Sequence, residues 1–368
     1  MEKIEKNLKR FYSNKTVLIT GHTGFKGSWL SKILIDFGSK VIGYSLSPNT
    51  EPNLFKLLEL EDKMISIIGD IRDFEKLKNV VDKYKPDIIF HLAAQALVRD
   101  SYENPKYTYE TNILGTVNLL ETIRTSDYCR SLVNVTTDKV YKNNEWHWGY
   151  RENDQLDGYD PYSNSKSCSD IITQSYIRSF FGNKKTSISI MRAGNVIGGG
   201  DFSKDRIIPD CIKAAVSNSR IEIRNPHSIR PYQHVLEPLF VYIFVAYKQY
   251  YDKKYADTYN VGPEDQDCVK TGNLVDIFCK KYGNDLIWLN KSDNGPHEAN
   301  FLKLDCSKIK SNLLWKPLLN IEKAVELTIE WVKIWQTERF RLGEFTSFQI
   351  ENYFSIFEPT ILENYDYE

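Results

Sequence analysis

Long hydrophobic runs are missing from this sequence. The longest, 239–247, is less than half the roughly 20 residues that a membrane-spanning helix needs. The stretch 1–15 is charged throughout and lacks the apolar centre of a secretory signal. Cysteine is sparse as well. The six thiols, at 129, 168, 211, 268, 279 and 306, never form C-x-x-C. That spacing argues against both a disulfide framework and a zinc site, and free thiols fit a reducing compartment. An excess of either charge is lacking too, since 48 Lys and Arg face 49 Asp and Glu. Binders of nucleic acid or acidic lipid usually carry a basic surplus, so neither partner is expected, although a local basic pocket for one phosphate group is compatible. A cytoplasmic protein without a metal is expected.

The rest of the composition is that of an ordinary globular chain, with 41% hydrophobic and 26% charged residues. Its 368 residues allow one large domain or two modest ones. Short β-rich runs alternate with helical patterns: strands are expected at 16–20, 40–44, 64–68, 87–92, 132–136 and 188–192, and helices at 27–37 and 74–84. This rhythm predicts an α/β fold, a doubly wound parallel sheet of Rossmann type. After residue 193 the rhythm breaks into a glycine-rich loop, a helix near 208–217, a turn-rich segment and one more strand at 259–262. A smaller mixed C-terminal part is therefore expected over the carboxyl ends of the strands, where open α/β sheets bind ligands. From Phe340 onward no assignment emerges.

Thr20-Gly21-His22-Thr23-Gly24-Phe25-Lys26-Gly27 lies between the first strand and the first helix of the series. Gly21, Gly24 and Gly27 permit the tight turn and let backbone N–H groups approach a pyrophosphate at the helix start. A dinucleotide site is expected. The end of the second strand, Gly43-Tyr44-Ser45-Leu46-Ser47, has no acid for a ribose and no arginine for a 2′-phosphate, which favours NAD over NADP. Asp70, after the third strand, is placed to reach the adenine.

Tyr162 and Lys166 stand four apart on a helical stretch and so share one face. A phenol with an ordinary pKa near 10 is a poor base at neutral pH, and a neighbouring ammonium favours its phenolate. At a strand end, Thr137, Asp138 and Lys139 bring a hydroxyl, a carboxylate and an amine towards the same cleft.

Together the glycine loop, Leu92-Ala93-Ala94-Gln95 and the Tyr162/Lys166 pair resemble the extended short-chain dehydrogenase/reductases. Within them, TTDKVY at 136–141 is similar to the catalytic segment of the sugar-nucleotide 4,6-dehydratases. The runs at 21–31, 192–202, 205–210 and 230–239 resemble the branch that takes CDP-glucose. The likeness spans about 16–317.

The resemblance implies an NAD-dependent enzyme and a nucleotide-sugar substrate. NAD would be held by Gly21, Thr23, Gly24, Phe25, Gly27, Asp70, Ile71, Leu92, Ala93, Ala94, Gln95, Tyr162 and Lys166. Tyr162, aided by Lys166 and Thr137, would take the proton of the sugar 4-hydroxyl while Asp138 protonates the leaving 6-hydroxyl. Lys139 stands where dTDP-glucose enzymes carry glutamate, so it is either the C5 base or an electrostatic partner. Asn195, Arg206, Arg230, His297 and Glu298 would contact substrate. The resemblance places an NAD-binding domain at 1–192 with a returning segment near 230–263, a substrate lid at 193–340 and a tail at 341–368. It also implies a homodimer or homotetramer, paired through helices near 104–125 and 162–181. A 4-epimerase or a dehydratase for another nucleotide sugar is the alternative, and Asp138 argues against epimerisation. A non-catalytic dinucleotide sensor would require loss of Thr137, Tyr162 or Lys166, and all three are present.

Overall fold

The computed structural model describes residues 4–283, 285–291 and 300–356. In chain order its first half runs α1 (Ile4–Tyr12), β1 (Thr16–Thr20), α2 (Phe25–Asp36), β2 (Lys40–Ser45), β3 (Ile65–Ile68), α3 (Phe74–Tyr84) and β4 (Ile88–His91). There follow α4 (Gly115–Arg124), β5 (Ser131–Val135), α5 (Pro161–Phe180), β6 (Ser187–Ala193) and α6 (Ile207–Val216). The last elements are α7 (Leu236–Tyr251), β7 (Thr258–Val261), α8 (Thr271–Tyr282), α9 (Ile321–Thr337) and α10 (Leu342–Ile356).

Seven parallel strands form one sheet in the order β7-β6-β5-β4-β1-β2-β3. Alternation along β1 sends Val17 and Ile19 into one core with α2 and α7, and Leu18 into the other with α3 and α4. Both faces of the sheet are thus covered, which is why its strands read as apolar runs instead of alternating ones. The chain order reverses where β1 lies between β2 and β4, and the crevice opens at the carboxyl ends of those strands.

Local chemistry sets the helix starts. Asp73 Oδ1 accepts from Lys76 N at 3.0 Å to begin α3. Asp160 Oδ1 accepts from Ser163 N at 2.9 Å to begin α5, with Pro161 in its first turn. Beyond β6 the chain makes small two-stranded pieces: Ile229–Pro231 with Cys268–Lys270, and Ile221–Ile223 with Trp288–Asn290. These build the second wall of the cleft.

Both ends of the described chain hold helices where no element was expected. In α1, Ile4, Leu8, Phe11 and Tyr12 are buried at helical spacing among the charges. In α10, Leu342, Ile350, Tyr353 and Phe354 pack inward, and the helix touches α1, α2, α7 and α9. Tyr353 donates its hydroxyl to Glu237 at 2.7 Å, and that buried carboxylate also accepts from Leu318 N and Leu319 N. Burial raises Glu237 to about 7 against the pull of those donors. Among the described residues no helix is long and apolar enough to cross a membrane.

Candidate active site

The turn after β1 depends on Gly21, whose φ is +79° and whose N–H bonds Tyr44 O at 2.9 Å. A β-carbon there would stand 2.8 Å from Ala93 N, so the loop lies against the backbone at the end of β4. Helix α2 starts at this loop with no side-chain cap and no acid in its first turn. Its leading N–H groups are therefore left for an anion, and the residues fit the pyrophosphate of a dinucleotide.

The expected cofactor residues divide by what they touch. Thr23 donates to Leu46 O at 2.8 Å and meets Ser45 Oγ at 2.9 Å, tying the loop to β2. Phe25 turns its ring towards Gly198. Leu92 N bonds Thr20 O, Ala93 N bonds Thr20 Oγ1, and Gln95 N bonds Asn112 Oδ1, which fixes the β4 end beside the loop. Ala94 follows in the same segment. Asp70 is held by Arg72 at 2.7 Å, and that guanidinium keeps its carboxyl below the usual range. Arg72 also pairs with Glu110 at 3.1 Å, so this arginine is already bound by two acids. Ile71 is buried under Gly115.

Thr137, Lys139, Tyr162, Asn195, Arg206 and Arg230 line one cleft of about 240 Å³. Asp138 does not stand on its wall. It is buried behind, where Thr137 Oγ1 donates to Oδ1 at 2.9 Å and Oδ2 has no hydrogen-bond partner among the described residues. Burial raises the Asp138 pKa, against the pull of Lys139, the Thr137 bond, Arg230 and Lys26. That is the environment of a carboxyl kept ready to donate a proton.

The Tyr–Lys pair differs from the expectation that an ammonium pulls the phenol down. Burial pushes Tyr162 up to about 12, although a hydrogen bond with Thr137 and the charge of Arg206 act the other way. Lys166 Nζ donates to Val135 O at 2.7 Å. Burial and the charge of Lys26 bring it down to about 7, while Asp170 acts to raise it.

Arg206 pairs with Asp201 at 3.2 Å, and Arg230 is buried with its Nη1 on Ile229 O at 3.3 Å. His297 and Glu298 lie outside the described residues. The sequence reading passed over Lys26, which lines the same cleft. Its burial and Arg206 lower it to about 8, and Asp138 and Asp201 act to raise it. A lysine inside a glycine fingerprint, one residue before the last glycine, was the available signal. Asp201, Arg224, Tyr232 and Thr271 also line the cleft and were not singled out. No group of three or more metal-ligating side chains occurs among the described residues.

The profile of the GDP-mannose 4,6 dehydratase family matches residues 18–328. The chain belongs to this family. It is 49% identical over 333 residues to the CDP-glucose 4,6-dehydratase of Salmonella typhimurium, covering 89% of this chain and 93% of that protein. It is 27% identical to the dTDP-glucose 4,6-dehydratase of Haemophilus influenzae, over 86% of this chain and 97% of that one. Among solved structures, the dTDP-glucose 4,6-dehydratase of Bacillus anthracis in complex with NAD superposes with a TM-score of 0.73 at 21% identity, over 89% and 98% of the two chains. A UDP-glucose-4-epimerase from Stenotrophomonas maltophila with bound NAD gives 0.77 at 18%, over 88% and 99%. Those two structures share the Rossmann-type fold of this dehydratase-family chain.

Proposed function

We propose that this protein is a cytoplasmic CDP-glucose 4,6-dehydratase that converts CDP-D-glucose to CDP-4-dehydro-6-deoxy-D-glucose and water, with NAD regenerated each turnover. The observation that carries the reading is Asp138: a buried carboxyl with one oxygen unpartnered among the described residues, next in sequence to Thr137 and Lys139, which stand on the wall that also holds Tyr162. A 4-epimerase needs the Tyr–Lys pair but has no use for an elimination acid. The 49% identity to a CDP-glucose 4,6-dehydratase supports the substrate.

Gly21, Gly24 and Gly27 with the start of α2 would hold the pyrophosphate of NAD. When bound, NAD supplies the acceptor that takes hydride from C4 and gives it back at C6. Tyr162 would take the proton of the 4-hydroxyl, aided by Lys166 and Thr137, and the charge of Arg206 also favours the phenolate. The 4-ketone acidifies C5, whose proton goes to Lys139. Asp138, buried behind the wall, would supply the proton for the 6-hydroxyl by way of Thr137 Oγ1, which bonds it and lines the cleft, and the hydroxyl leaves as water. Lys139 then returns its proton to C5, and the proton gained by Tyr162 balances the one given by Asp138. Arg206 and Arg230 suit the diphosphate through the guanidinium fork, and Asn195 faces the sugar. Exposed Leu114, Ile171 and Phe180, on or next to α4 and α5, suit pairing with a second copy.

Incubation with CDP-, dTDP-, GDP- and UDP-hexoses tests the reading. Loss of one water from CDP-glucose without accumulation of NADH is expected, with kcat/KM more than about tenfold above dTDP-glucose, a difference of ~1.4 kcal/mol. One NADH per sugar consumed would mark a simple dehydrogenase, and equal rates on both nucleotides would remove the CDP assignment.

A further inference from the structure

Asp170 and Arg192 have no part in the chemistry above, yet both side chains are 0% exposed. Arg192 Nε meets Asp170 Oδ2 at 2.8 Å, and Nη2 meets Oδ1 at 2.9 Å. The remaining Nη1 donates to the Tyr141 hydroxyl and to Glu152 O, each at 2.8 Å. Asp170 also accepts from Gln174 Nε2 at 2.7 Å and from Thr136 Oγ1 at 3.4 Å. Tyr141 donates onward to Asn260 Oδ1 at 2.6 Å. One hydrogen-bonded network thus joins the end of β5, the turn that follows it, α5, β6 and β7.

A buried ion pair seldom stabilises a fold more than apolar side chains of the same volume would. Its location suggests another use. Asp170 stands four residues beyond Lys166 in α5, so the two share a face one helical turn apart. Thr136 precedes Thr137, and Arg192 precedes the segment that carries Asn195. We infer that Asp170, fixed by Arg192, is a positioning residue that keeps Lys166 in its ammonium form beside Tyr162. The inference rests on the reading of Tyr162 and Lys166 as the pair that takes the 4-hydroxyl proton.

The charges around Lys166 show why such a residue is needed. Lys26 faces it from α2, His91 from β4 and Asp170 from α5 itself, with Tyr162 one turn earlier on the same helix. Behind Asp170 stands Arg192 from β6. His91 is buried, its pKa lowered to about 3 by desolvation and by Lys166, so it is neutral and offers no counter-charge. Asp138 is held towards its neutral form by burial. Lys26 repels. Among the described residues Asp170 is the carboxylate left to oppose Lys26 and desolvation, and its grip by a rigid guanidinium fork stops it from turning away.

The test reads the titration of Lys166 directly, in protein carrying 13Cε-labelled lysine, with the Lys166 resonance assigned through Lys166→Arg. In Asp170→Asn the midpoint is expected to fall by about one pH unit, the shift that removal of a nearby opposite charge produces. The alkaline decline of kcat with CDP-glucose should move down with it, kcat at neutral pH should drop roughly fivefold, and KM should stay within about twofold. Asp170→Glu should restore most of the midpoint. Tyr176→Phe, which removes a 2.7 Å hydrogen bond to Glu121 from the same helix, is the structural control and should lower the melting temperature without moving the midpoint. Should Asp170→Asn not fold, Arg192→Lys keeps a cation but loses the fork, and it should show a smaller fall. An unmoved Lys166 midpoint in a folded variant overturns the inference. A wild-type protein that shows the Lys166 midpoint but does not dehydrate CDP-glucose would count against the functional reading alone.

Discussion

A β-carbon on Gly27 would stand 2.1 Å from the carbonyl oxygen of Gly21. The first turn of α2 is therefore packed directly beneath the glycine loop, backbone on backbone. Gly27→Ala should push the two apart at a cost of about 1–3 kcal/mol, the range for an overpacked interior. Calorimetric titration with NAD is expected to show at least a tenfold loss of affinity, and an unchanged affinity would mean that the loop does not form the cradle.

Lys139 lines the cleft beside Tyr162. If it is the C5 base, Lys139→Met should abolish exchange of the C5 hydrogen with deuterated solvent while oxidation at C4 continues. If it only stabilises the enolate, exchange should slow and persist. Exchange at the wild-type rate would remove Lys139 from both roles.

Lys166 provides a stability test whose sign is fixed. Its folded-state value of about 7 lies below the lysine value of 10.5, so between them the unfolded chain binds more protons than the folded one. Stability then rises with pH across that window, and the full penalty of the buried ammonium applies below it. Lys166→Met carries no such charge. Urea unfolding at a series of pH values should find the variant more stable than wild type near neutrality, with the margin shrinking as pH rises towards 10.5. A margin that grows with pH would contradict the assignment.

Asp160 caps the helix that carries the proposed catalytic pair, with Oδ2 also accepting from Ser163 Oγ at 2.5 Å. Asp160→Ala should cost about 1 kcal/mol of global stability. Because Tyr162 sits in that first turn, kcat should fall further than this loss of stability predicts, and paired denaturation and steady-state measurements separate the two. Loss of stability with kcat intact would show that the first turn holds Tyr162 without its cap.

Much of this arrangement was legible in the sequence. The strands came through because a parallel sheet covered on both faces leaves continuous apolar runs such as TVLIT, and β7 was visible at 259–262 for the same reason. The cleft residues from Thr137 to Arg230 were legible because their motifs are contiguous. What escaped had a different signature. In α1 the buried stripe is interrupted by lysines and glutamate, and the charges dominated the reading. In α10 the exposed face mixes Phe348 with Glu344, Glu351 and Asn352, while Tyr353 and Phe354 are buried, so aromatic residues on both faces blur the pattern. Burial behind a wall, which distinguishes Asp138 from its neighbours, is a tertiary fact that no local spacing encodes. The same holds for the contest between Lys26 and Asp170 over Lys166.

The edge strand β7 pairs with β6, although Thr258 follows Ala193 only after a long excursion through the second wall of the cleft. On the ribosome, β6 emerges well before the strand that covers it. During that interval its N–H and C=O groups present an open template, flanked by side chains that are all buried in the finished fold. At a synthesis rate of roughly 5–20 residues per second the exposure lasts for seconds, long enough for a chaperone, or a neighbouring nascent chain, to find it. The yield of native protein in a cell should therefore depend on how that edge is protected during translation, more than on the stability of the completed sheet.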